Sequence, residues 1–101
     1  MRPKHRKTQL VIVAEAAIES RLVALARSLG AQRWTITDIR AAGLDEVREG
    51  RWEADRTIEL RLIADAEVAD AIAEQVLSDY APHFGVALHF GEVSVLRPER
   101  F

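Results

Sequence analysis

The side chains of this chain best suited to chemistry are its arginines. Of its 14 basic residues only Lys4 and Lys7, both near the N-terminus, are lysine; the rest are arginine. Arg48 and Arg51 fall in a charged stretch, Arg56 at its exit, and Arg97 and Arg100 near the C-terminus. A guanidinium is planar and presents paired N–H donors that match a phosphate or a carboxylate. Arginines converging from these places would suit a phosphate-bearing ligand. The competing explanation is plain solvation, with the arginines paired to Glu46, Glu49, Glu53 and Asp55. The residues alone leave both open.

Other chemistries lack their residues. There is no cysteine, which removes disulfides, zinc thiolates and thiol nucleophiles. There is no asparagine, which an acylphosphatase-type site would use. His5, His83 and His89 are far apart in sequence and read as structural or surface residues rather than metal ligands. No phosphate-binding loop, dinucleotide fingerprint, nucleophile elbow or zinc-protease motif occurs. The expectation is a binding protein, not an enzyme, with no cofactor and no metal. A net charge of −2 argues against a nucleic-acid partner. An RNA-recognition surface would need aromatics on its central strands. The first and third strands offer Gln9, Val11 and Arg61 there.

The elements that must position the arginines can be read from periodicity. Residues 1–7 (MRPKHRK) form a basic arm without apolar pattern, expected to be disordered, ahead of one domain spanning 8–101. Thr8 to Ala14 (TQLVIVA) is apolar on both faces, as a central strand is. Ile18, Leu22, Leu25, Ala26 and Leu29 recur at helical spacing, and Gly30 follows as a C-terminal cap. Trp34 to Ile39 (WTITDI) is a strand. Residues 40–55 have two glycines, clustered charge and no sustained period, and read as a long loop. Arg56 to Ile63 alternates cleanly as a strand. Asp65 is an expected N-cap for a second helix with the stripe Val68, Ala69, Ile72, Ala73, Val76 and Tyr80, ended by Pro82. Val86 to Leu96 is the last strand. Its apolar phase runs 86, 88, 90 and then 93, 95, which predicts a bulge or bend at Gly91.

The order βαβ, long loop, βαβ predicts an α+β fold, a ferredoxin-like sandwich with two helices on one face of a four-stranded antiparallel sheet. Two helices cover one face only. Val11, Val13, Val93 and Val95 would leave apolar side chains on the other, which predicts a homo-oligomer packed through the sheet. No apolar run approaches the about 20 residues of a membrane span. No signal-peptide pattern follows the basic N-terminus. The expected location is cytoplasmic, without membrane insertion.

Nearly the whole chain after the basic arm resembles the PII signalling superfamily. GAQRWTITDIRAAG (Gly30 to Gly43) is similar to the segment leading into that family's long T-loop, and IEL (Ile58 to Leu60) to the strand that leaves it. VALHFGEVSVLRPERF (Val86 to Phe101) is similar to its last strand and C-terminal segment. QLVIVAEA, GLDEVREG, IAEQVLSDYA and SVLRPERF resemble the subgroup associated with bicarbonate transport and carboxysomes.

The resemblance implies a ferredoxin-like homotrimer with a long T-loop between strands two and three. It implies adenine-nucleotide binding in clefts between subunits and signalling through that loop. It places Thr35 against the base, Gly43 at the loop base, Glu59 in the following strand, and Arg48 on the phosphates. Arg97 and Arg100 fall in the region that supplies phosphate contacts from a neighbouring subunit. The chain also departs from the wider family. The glycine- and lysine-rich B-loop is APHFGV here, and the T-loop has no tyrosine for nucleotidylation. Fewer cations favour a ligand with fewer phosphates, ADP or AMP. The subgroup implies a link to inorganic carbon, with bicarbonate as a further candidate ligand. It also implies a target protein, a transporter or a carboxysome-related partner, engaged through residues 40–55. The alternative is a trimeric ferredoxin-like structural or interaction module without nucleotide binding.

Overall fold

The computed structural model describes residues 2–40 and 56–101. Strand β1 (His5–Glu15) is followed by a short 3-10 turn (Ala16–Ile18) and helix α1 (Glu19–Ser28). Strands β2 (Trp34–Ile39) and β3 (Thr57–Ala64), helix α2 (Ala66–Asp79) and strand β4 (Val86–Val95) complete the order, with a last 3-10 turn at Pro98–Arg100. The sheet order is β2-β3-β1-β4. All three pairings are antiparallel. This is the βαββαβ ferredoxin-like sandwich expected from the sequence.

Strand alternation puts one face of the sheet against the helices. Leu10 stands opposite Leu62, Ile12 opposite Leu60 and Ala14 opposite Ile58. Leu10, Ile12, Leu60 and Leu62 pack with Leu22 and Ala26 of α1 and with Ala69, Ile72, Ala73 and Val76 of α2. The four α2 positions repeat at i, i+3, i+4 and i+7, one helical stripe, with Val68 and Tyr80 packed at its margins. Among the described residues no polar or charged side chain is buried. The interior is therefore a packing core, and any polar chemistry must lie on the surface.

Helix α1 ends where Gly30 takes φ +114°, the left-handed region that side chains disfavour. Its N–H donates to the Arg27 carbonyl at 3.1 Å, and that of Ala31 to the Ala26 carbonyl at 2.9 Å. Those two bonds are the Schellman pattern, so the expected glycine cap stands.

Three local expectations are corrected. Strand β1 starts at His5, not Thr8, because His5 pairs with Val95 and Lys7 with Val93 at the far end of β4. A charge contact holds the third of these rungs, since Lys7 Nζ lies 2.6 Å from Asp65. Part of the basic arm is thus sheet, and apolar periodicity could not reveal it. Asp65 occupies the N-cap position of α2 but makes no side-chain cap bond, since its carboxylate accepts from Lys7. Finally, Gly91 sits in an unbroken ladder opposite Gln9, and no bulge interrupts β4. The apolar phase switches because the strand changes the face it buries. Val86 and Leu88 pack on the helix side, whereas Val95, only 8% exposed, lies on the opposite face.

Candidate functional site

The face turned away from the helices carries the polar side chains. On it, Thr35 of β2 stands opposite Arg61 of β3, which stands opposite Val11 of β1 and so beside His89 of β4. The next rung is Thr37, Glu59, Val13 and Ala87. The face is mixed rather than bare and apolar, which corrects the sequence expectation. Val11 is already buried within one chain, at 2% exposure, between longer neighbours. Glu59 and Arg61 are two residues apart on the same side of β3 and form an ion pair at 2.9 Å. Glu59 is thus half-buried and charge-compensated.

At one end of the sheet the C-terminal segment makes a cleft of about 340 Å³ lined by Arg33, Val95, Leu96, Arg97, Arg100 and Phe101. The segment turns because Pro98 starts a single 3-10 turn, closed by Arg100 N–H to the Arg97 carbonyl at 3.0 Å. Arg33 comes from the residue before β2. Its guanidinium lies 5.7 Å from the centroid of the Phe101 ring, within cation–π range. Arg97 and Arg100 thus stand beside Val95, Leu96 and Phe101 in one open cleft, and Arg33 reaches it through the Phe101 ring. Arg97 is only loosely engaged, 3.9 Å from Glu99 with both side chains exposed.

The opposite end of the sheet holds the base of the β2–β3 connection. Arg56 pairs with Asp38 at 2.9 Å, and its carbonyl accepts from Ala16 N–H at 2.8 Å. Glu15 accepts from Gly85 N–H at 2.6 Å, tying the turn after α2 to the end of β1. The six residues of β2 put roughly 20 Å between the two ends.

Of the residues singled out from the sequence, Arg97 and Arg100 meet in one cleft. Thr35 and Glu59 share the outward sheet face in adjacent rungs. Gly43 and Arg48 lie outside the described residues. Arg33 was not anticipated. It stands alone before a strand, and its aromatic partner is at the other end of the sequence, where no spacing rule reaches. Among the described residues no His, Asp and Glu side chains cluster as a metal site, and no helix is long and apolar enough to cross a membrane.

Comparison with known proteins places this geometry. The structure of a PII-like signalling protein from Thermus thermophilus is 35% identical, covers 97% of each chain and superposes with a TM-score of 0.82. CPII from Thiomonas intermedia, solved bound to ADP and bicarbonate, is 19% identical over 100% of this chain and 99% of its own, with a TM-score of 0.86. The ATP complex of GlnK from B. subtilis is more distant, at 13% identity, 95% and 96% coverage and a TM-score of 0.57. No curated protein matches the chain. The sequence model for nitrogen regulatory protein P-II matches residues 7–100, from within β1 to the C-terminal turn, and the chain belongs to that family.

Proposed function

We propose that this PII-like regulatory protein is a homotrimeric sensor that binds an adenine nucleotide, ADP or AMP in preference to ATP, in clefts between subunits. The observation that carries this reading is the C-terminal cleft, lined by Arg33, Arg97 and Arg100 together with Val95, Leu96 and Phe101. Its volume of about 340 Å³ is at the low end of the ~300–1,000 Å³ of small-molecule sites. A second subunit would complete it. The separation between this cleft and the loop base points the same way, since a site using both ends of the sheet needs two copies of the chain. Thr35, Gly43 and Glu59 would then face the nucleoside from one subunit. Arg48 of that loop, with Arg97 and Arg100 of the neighbour, would face the phosphates. Glu59 already shares its charge with Arg61 and would repel phosphate, so it belongs on the nucleoside side. Absence of a lysine-bearing B-loop limits the positive charge available to a third phosphate.

The CPII complex with ADP and bicarbonate supports ADP as ligand and inorganic carbon as context. In this reading the protein reports nucleotide state to a transporter or carboxysome-related target held by residues 40–55, in the cytoplasm, without itself catalysing a reaction.

Isothermal titration calorimetry with ATP, ADP and AMP, each with and without bicarbonate, tests the reading. The expected result is about one nucleotide per subunit, ADP or AMP tighter than ATP, and an affinity that moves with bicarbonate. Arg100→Ala or Arg48→Ala should cost about 1.5–3 kcal/mol of binding, the worth of a charge-assisted contact. No heat with any nucleotide would overturn it. A trimer without ligand would then remain, a reading for which the carboxylate partner already held by Arg61 speaks.

A further inference from the structure

We propose that Arg33 and Phe101 act as a clamp that fixes the C-terminal turn across the end of the sheet, and so sets where Arg97 and Arg100 present their guanidinium groups. This rests on the nucleotide reading above. Phosphate is the group presented to, and Arg33 and Phe101 are positioning residues.

The turn cannot hold itself in place. It is one 3-10 turn of three residues, closed by bonds of 3.0 and 3.2 Å. A piece this short has little stability of its own. The Arg97–Glu99 ion pair, at 3.9 Å and about two-thirds exposed, adds little. The segment is secured at its two ends instead. At the start, Val95 pairs with His5 and is buried. At the finish, Phe101 meets Arg33. Those ends belong to opposite edges of the sheet, since β4 and β2 are its outer strands. Three strand spacings, about 14 Å, separate those two strands laterally. Leu96 to Phe101 therefore runs from the end of β4 to the Arg33 guanidinium, with Arg97 and Arg100 between the two contacts.

The Arg33 end is rigid enough to serve. Trp34, the next residue, is part of β2, pairs with Leu62 and packs on the core cluster. Pro98 restricts the segment further by fixing its own φ. Releasing Phe101 would remove one of the two contacts that hold the segment carrying Arg97 and Arg100. The two arginines would then lose the preorganisation that makes a polar site strong.

The test compares the unaltered protein with Phe101→Ala, Arg33→Ala, the double variant, and the conservative Phe101→Tyr. Two readouts are needed. Backbone amide order at Arg100 and Phe101, from heteronuclear relaxation of the ligand-free protein, reports the clamp itself. Calorimetric affinity for ADP and for adenosine reports its effect on phosphate. Phe101→Ala and Arg33→Ala should each raise amide mobility and weaken ADP binding about fivefold, the effect of one exposed cation–π contact. The double variant should be no worse than either single, because both remove the same contact. Adenosine affinity should not change, and Phe101→Tyr should bind ADP as the unaltered protein does. Unchanged amide order in both single variants would overturn the clamp. Additive losses, or a loss in Arg33→Ala alone, would overturn it in favour of direct phosphate contact by Arg33. Equal losses for ADP and adenosine would overturn the positioning role. If the unaltered protein binds no ADP, the nucleotide reading falls, and the clamp stands or falls on amide order alone.

Discussion

Gly30 shows how one residue carries a backbone decision. At φ +114° an alanine would be strained, and its Cβ would also stand 3.6 Å from Val68, ordinary contact rather than a clash. Gly30→Ala should therefore cost about 1–2 kcal/mol, the left-handed penalty alone, measured by urea unfolding. Two polar contacts at the loop end should differ in worth. Glu15→Ala leaves the Gly85 N–H without its 2.6 Å carboxylate and should cost about 1.5 kcal/mol, with Glu15→Gln recovering part of it. Asp38→Ala removes an ion pair whose members are 72% and 67% exposed, and should change stability by less than about 1 kcal/mol. At this scale the sequence was legible in proportion to local chemistry. The Gly30 cap followed from the helix before it. Arg33 escaped notice because its partner, Phe101, is a neighbour only in the folded chain.

At the scale of elements, α2 commits one stripe to the core and leaves the rest to solvent. Ile72 is fully buried, whereas Leu77 is 48% exposed. Ile72→Ala should destabilise by about 2–5 kcal/mol in denaturant titration. Leu77→Ala should stay within about 0.5 kcal/mol, despite removing a side chain of the same size. Helices and strands with a single buried face were readable because hydrophobic period encodes them. Segments stabilised by charge were not. The first rungs of β1 pair with the far end of β4 beside the Lys7–Asp65 contact, so the strand began earlier than its apolar residues suggested. Strand β4 misled in another way. A shift of apolar phase can mean either an extra residue or a change of covered face, and only the pairing of Gly91 with Gln9 separates the two.

For the molecule as a whole, the element order was enough to specify the sandwich, since short connections and antiparallel pairing leave few alternatives. The partner surface was less legible. Val11 and Val13 on the outward face of β1 suggested a bare apolar sheet, yet Arg61, His89 and Thr35 lie on the Val11 rung in the fold. If the arginine cleft binds ADP, a concentration of one hundred times Kd should stabilise the folded protein by about 2.7 kcal/mol. That appears as a rise in Tm, which Arg100→Ala should reduce at the same ADP concentration.

The two ends of the sheet also have a thermodynamic consequence. The arginine cleft lies at one end and the Asp38–Arg56 base of the connection at the other. Suppose nucleotide at the first changes how strongly residues 40–55 hold a partner. Linkage then requires that partner to change nucleotide affinity by the same factor. The target would act as an effector in its own right. A cell that makes more of it would alter the filling of these sites at constant ADP, so the sensor would report the abundance of its listener as well as the state of its ligand.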